Sequence, residues 1–245
     1  MRLNLDSIGK NYKNVMEIDV PEQLNRSVRT GVSFVDDAFG GDGITPSQVV
    51  LLTGMGGMGK TTLALMLADA VTAAGHVALY NTREESLFQV RKVVTRLGLK
   101  HGFVPGDEPC IDKVLERAEE LRAKNPGKDL FLFVDSIQSH DDGRYENGYT
   151  NTATPLNVTQ LVTDYCKQTY AMAFLLGQVT KWGEFEGKNK IRHVVDTHVV
   201  MKLDEDKRSP TSGERLFVVT KNRFGPAGRE YVLSVGKTGI REKVV

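Results

Sequence analysis

The sequence predicts an α/β chain: a mostly parallel, twisted central sheet flanked by helices, with antiparallel strands at its C-terminal edge. Three observations lead there. Apolar runs (VVLLT, VALYN, LFLFVD and MAFLLG) recur between residues 49 and 177, as expected of strands buried on both faces. Segments with helical periodicity stand between them. Beyond about residue 194 the chain turns to β-rich segments separated by turn residues, with no helix.

In order, residues 1–28 are mixed and polar, broken by Pro21, and read as an N-terminal arm or linker to one domain over 29–245. VVLLT (49–53) is the first strand, and TTLALMLADAVTAAG (61–75) is a helix closed by Gly75. VALYN (77–81) is the second strand, and SLFQVRKVVTRLGL (86–99) is a helix with Ser86 as its N-cap. CIDKVLERAEELRAK (110–124) aligns Ile111, Val114, Leu115, Ala118 and Leu121 on one helical face. LFLFVD (130–135) is the third strand, PLNVTQLVTDYCKQTY (155–170) a helix, and MAFLLG (172–177) the fourth strand. VVDTHVVMKL, ERLFVVTK and EYVLSVG form the β-rich tail.

Composition narrows the function. A chain of 245 residues, 40% hydrophobic, can bury a substantial core. A net charge of +1 excludes a global basic field, so any nucleic-acid contact must come from a local patch. Cys110 and Cys166 form no CxxC pair, which excludes a zinc ribbon and fits a reducing compartment. The N-terminus has no apolar leader and no run reaches membrane length, so the expected location is cytoplasmic.

GMGGMGKTT (54–62) fits G-x-x-x-x-G-K-[ST] between a buried strand and a helix. In that setting the backbone N–H groups of Gly54, Gly56, Gly57, Met58 and Gly59 can turn around a phosphate, helped by the helix dipole. Lys60 would reach the β- and γ-phosphates, Thr61 would hold Mg²⁺, and Thr62 would sit near the α-phosphate. The pattern does not separate ATP from GTP. Asp135 ends a central strand, where an acid points into the ligand crevice and can orient Mg²⁺ through water. Glu84 and Glu85 follow the second strand. Either could activate water, and both could equally be first-turn acids favoured by the helix dipole. Gln178, at the tip of the fourth strand, could hydrogen-bond a γ-phosphate or serve only as a turn residue.

Two basic features remain. VTKWGEFEGKNKIRH (179–193) reads as a loop carrying Lys181, Trp182, Lys188, Lys190 and Arg192, diluted by Glu184 and Glu186. Such cations with an aromatic suit a single strand of nucleic acid, although charged loops are commonly just solvated. KNRFG places Lys221 and Arg223 two apart at a strand end, also a common solvated arrangement. A small-molecule kinase would leave KNRFG without a role.

RTGVSFVDDAFGG, GMGGMGKTT, LYNTREESLFQV, LFVDSIQS, LLGQVTKWG, VVDTHVVM and TKNRFG occur in the order that marks the ATPase core of bacterial RadA (Sms), of the RecA superfamily. The resemblance covers roughly residues 27–235, and KNRFG is its most specific part. It implies a RecA-like fold, ATP with Mg²⁺, a hexameric ring of identical subunits, and hydrolysis coupled to movement on single-stranded DNA in recombination and repair. It implies that Glu84, followed by Glu85, supplies the catalytic base and that Gln178 senses the γ-phosphate. It also implies that Lys221 and Arg223 enter a neighbour's ATP site, and that Phe224 packs inward while Gly225 permits a sharp turn. The segment with Lys181, Trp182, Lys188, Lys190 and Arg192 would then face DNA. The sequence lacks a four-cysteine zinc motif and continues into no Lon-protease-like domain, so the expectation is a stand-alone core, with a truncated piece of a longer chain as the alternative. The alternative is a KaiC-like ATP-gated interaction module without DNA.

Overall fold

The computed structural model describes residues 14–145, 148–179 and 188–243. Nine strands form one sheet in the order β3-β2-β4-β5-β1-β6-β7-β8-β9. In chain order they are β1 (Val49–Gly54), β2 (Val77–Thr82), β3 (Val104–Gly106), β4 (Leu130–Asp135), β5 (Met172–Gln178), β6 (Thr197–Leu203), β7 (Arg215–Asn222), β8 (Glu230–Gly236) and β9 (Gly239–Glu242). The helices are α1 (Ser33–Ala38), α2 (Lys60–Ala73), α3 (Leu87–Leu97), α4 (Ile111–Lys124), α5 (Thr154–Thr169) and α6 (Lys188–Val194).

Strand periodicity divides the core into two layers, because successive side chains point to opposite faces. Val50, Leu52, Tyr80, Phe131, Phe133 and Phe174 pack with α1, α2 and α3, with Phe133 and Phe174 stacked at 5.2 Å. Val49, Leu51, Leu79, Leu132 and Val134 pack with α4, α5 and Ile191 of α6. These central strands are buried on both sides, which explains their unbroken apolar runs. Helices therefore cover both faces.

The predicted helices form within two residues of the expected bounds. Ser86 caps α3 through a capping box with Gln89, and Gly98 ends it in a left-handed turn. Three features depart from expectation. Residues 188–193, read as loop, form α6 together with Val194, read as the start of the tail. The first tail strand, β6, runs parallel to β1, so the antiparallel edge begins only at the β6–β7 pair. α1, β3 and β9 are additional, and β9 pairs with β8 beside α2. Among the described residues no helix is long and apolar enough to cross a membrane.

Candidate nucleotide site

All strands from β3 to β6 are parallel, so their C-terminal ends share one rim of the sheet. The GMGGMGKTT loop leaves that rim from the centre of the sheet, between β5 and β6. Gly54 is dictated by packing: a Cβ there would lie 2.3 Å from the Met201 carbonyl of β6. Gly59 caps α2 at φ 103°, and a Cβ would sit 2.9 Å from Ile240 Cδ1. The last strand thus stands directly behind the loop. Met58 is buried and anchors the loop in the core, whereas Gly56 and Gly57 face open space.

Lys60 folds back over the loop. Its Nζ donates to the carbonyls of Gly54 (2.7 Å) and Met55 (3.0 Å). Burial lowers its pKa, partly offset by the charges of Asp135 and Glu84. Thr61 Oγ1 donates to Asp135 Oδ2 at 2.8 Å, and Thr62 follows in the first turn of α2. Asp135 is 3% exposed and also accepts from the Tyr80 hydroxyl at 2.7 Å. Burial raises the carboxyl's pKa, and these two hydroxyl donors oppose the rise. The Tyr80 hydroxyl is in turn pushed well above its usual pKa by burial and by Asp135.

A hydroxyl beside a carboxylate is a hard-oxygen pair of the type Mg²⁺ uses with phosphate and water oxygens. No group of three metal-ligating side chains exists among the described residues. The donor set fits an ion arriving with its nucleotide, and Thr61 and Asp135 are the residues that would hold it.

Gln178 pairs with Gly54 across the β1–β5 ladder, which puts it beside the loop. Its Nε2 donates to Glu84 Oε2 at 2.7 Å. Gln138 braces it, accepting from the Gln178 N–H and donating to its carbonyl. The two adjacent acids therefore differ: Glu84 is exposed and tied to Gln178, while Glu85 is half-buried with Oε2 unpartnered.

Lys221 and Arg223 are not part of this cluster. The ladders place Lys221 beside His198 and His198 beside Leu51, while Arg223 N–H donates to Asp196 at the level of Val49. Five residues of β1 separate that level from Gly54, about 17 Å at a strand's rise. The pair stands near the opposite rim and cannot serve its own chain's phosphate loop. Lys221 Nζ donates to the carbonyls of Arg192, His193 and Val195, and Arg223 bonds to Asp196 and His193.

Phe224 is 49% exposed, correcting the expectation of inward packing. The next position explains it: a Cβ on Gly225 would lie 2.6 Å from the Phe39 carbonyl. The glycine serves a close backbone approach, and it is this contact, with no packed Phe224, that fixes the turn. Of the basic segment, Lys181 and Trp182 lie outside the described residues. Lys188 begins α6, Lys190 is exposed on it, and Arg192 is half-buried.

Four contributors escaped the sequence reading. Tyr80 and Ile240 were hidden because their side chains count as apolar in strand patterns. Gln138 and Asp196 follow their strand and helix without any spacing signal. Asp196, inside the VVDTHVVM stretch, is held by Val49 N–H (3.0 Å) and Arg223 (3.1 Å).

No family model matches the chain. The chain is 33% identical over 214 residues to DNA repair protein RadA of Aquifex aeolicus, across 87% of this chain and 45% of that protein. It is 30% identical over 234 residues to DNA repair protein RadA of Pseudomonas aeruginosa, across 95% of this chain and 48% of that protein. The chain therefore spans less than half the length of these curated relatives. Among solved structures, the ATPase domain of G40P superposes with a TM-score of 0.75 at 14% identity, covering 91% of this chain and 93% of that one. A KaiC-like protein from Pyrococcus horikoshii OT3 does so with a TM-score of 0.68 at 20% identity, covering 89% and 99%. At such identities the structural likeness speaks for the RecA-like fold alone. With its phosphate loop in place and RadA proteins similar along most of its length, the chain matches a RadA-type core with a RecA-like fold.

Proposed function

We propose that this chain is a Mg²⁺-dependent ATPase that assembles with copies of itself into a ring and moves on single-stranded DNA in repair. The observation that carries the reading is the division of charge. Lys60, Thr61, Asp135, Glu84 and Gln178 gather on one rim, while Lys221 and Arg223 stand near the other. A site whose second set of cations is out of reach in the same chain is completed by a second copy.

In that reading Lys60 exchanges its two loop carbonyls for β- and γ-phosphate oxygens. Thr61 and Asp135, the latter held by Tyr80, would hold the ion. Mg²⁺ bound there would supply neutralisation of the phosphate charge. Glu84 takes the proton of the attacking water, and Gln178 aims that carboxylate while sensing the γ-phosphate. Arg223 of the Lys221–Arg223 pair touches the neighbour's phosphate and stabilises charge there.

The test is turnover of the whole chain with and without single-stranded DNA. Turnover should rise with DNA, vanish in Lys60→Ala, and fall about 10³-fold or more in Arg223→Ala. Mixing those two inactive proteins should restore activity, because each supplies what the other lacks. Turnover indifferent to DNA, with ATP-dependent assembly and no DNA affinity at low salt, would favour the KaiC-like module instead.

A further inference from the structure

Helix α3 buries one stripe and leaves the opposite one in water. Val90, Val94 and Leu97 turn inward at helical spacing. The outer stripe is Phe88, Arg91, Lys92, Thr95 and Arg96, all exposed, with Phe88 at 85%. It holds no acid, and none of its three cations forms an ion pair among the described residues.

Residues 15–24, VMEIDVPEQL, are the chemical complement of that stripe. Their only charged side chains are Glu17, Asp19 and Glu22, all acidic. Val15, Met16, Ile18 and Val20 are 75%, 86%, 45% and 59% exposed. Two turns of 3₁₀-helix, Val15–Glu17 and Glu22–Asn25, bury no residue. Four large apolar side chains this close in sequence form a patch, unlike the scattered exposure normal on a surface. The segment leaves the domain away from its own α3. Glu22 and Gln23 line a groove with Arg122 of α4 and Gln168 of α5, and Arg26 is held by Asp129. α4 and α5 cover one face of the sheet, and α3 packs on the other.

We infer that segment 15–24 of one copy docks on the stripe of Phe88, Arg91, Lys92 and Arg96 of a second copy. The inference rests on the proposed assembly into a ring and names a surface that makes it. Segment and stripe are different surfaces, so the contact is head-to-tail, the kind that closes rings. The apolar side chains cover Phe88, and the acids meet the cations at the edge of the contact, where charge sets partner and register. α3 begins at Leu87, just after Glu85, so the docked copy holds the helix that follows the two acids of the nucleotide site.

Sedimentation velocity of the full chain with ATP and Mg²⁺ tests this. Asp19→Lys/Glu22→Lys reverses the segment, and Lys92→Glu/Arg96→Glu reverses the stripe. All four side chains are exposed, so both proteins should melt as the wild type does. Alone, each should need about tenfold more protein to assemble. An equimolar mixture should assemble like the wild type, because copies that alternate give every segment a matching stripe. Phe88→Ser should weaken assembly at least about tenfold. Unchanged assembly of the reversed proteins, or a mixture no better than its components, would overturn the inference. So would one chain with all four reversals assembling normally while the mixture does not, which would place the contact within a chain. Lost affinity for single-stranded DNA in Phe88→Ser, with normal assembly, would assign the stripe to nucleic acid and overturn it too. A wild-type chain that stays monomeric with ATP would sink the ring reading itself, whereas failure of the mixture alone leaves that reading standing.

Discussion

At the scale of single residues, the site turns on hydroxyls aimed at one carboxylate. Asp135 is buried and its Oδ2 accepts from both Tyr80 and Thr61. Removing one donor beside a buried charge costs about 1–3 kcal/mol. Tyr80→Phe should therefore lose about that much stability in denaturant titrations and weaken Mg²⁺-nucleotide affinity, while leaving the loop's other contacts in place. The sequence marks Asp135 because an acid interrupts an apolar run. It does not mark Tyr80, whose ring obeys the same run and whose hydroxyl is invisible to hydropathy. The acids after β2 show the same limit. Spacing leaves Glu84 and Glu85 equivalent, and only the fold separates them, by giving Gln178 to one and none of its amide to the other.

Among the elements, legibility follows burial. The strands β1, β2, β4 and β5 announce themselves because both faces are covered, and α4 because one face is. β3 has three residues and α6 seven, too short for a period to emerge. The direction of β6 was not legible either: its alternating pattern suits either orientation, and the strand pairs parallel with β1. That pairing brings β6 against the phosphate loop. Gly54→Ala should accordingly shift the β1–β6 contact, cost about 1–3 kcal/mol by overpacking, and weaken nucleotide binding more than a similar change at Gly56, where nothing lies within 4 Å. Thermal melts with and without nucleotide would separate the two effects.

For the whole molecule, the two rims of the sheet carry different work. One holds the nucleotide cluster, and at the other Arg26 is tied to the sheet. Arg26 and His76 both meet Asp129 at the start of β4. Burial would raise this carboxyl's pKa, but hydrogen bonds from His76 and Arg26 override it and hold the value at about 2, against 3.8 unperturbed. A depressed carboxyl stabilises the fold above its unfolded pKa and loses that contribution as pH falls toward the folded one. Asp129→Asn should thus destabilise the chain by about 2 kcal/mol at neutral pH, and its deficit should shrink as pH drops from about 4 to 2. Equal deficits across that range would contradict the account. The far end of the chain has its own bearing on the first rim. β9 lies against α2, with its Ile240 N–H on the Met66 sulfur and its side chain 2.9 Å from where a Gly59 Cβ would be. The phosphate loop is therefore braced from the rear by residues some 180 positions later in sequence. A change in β9 would be felt at the loop, because the last strand of the sheet forms part of the loop's rear wall.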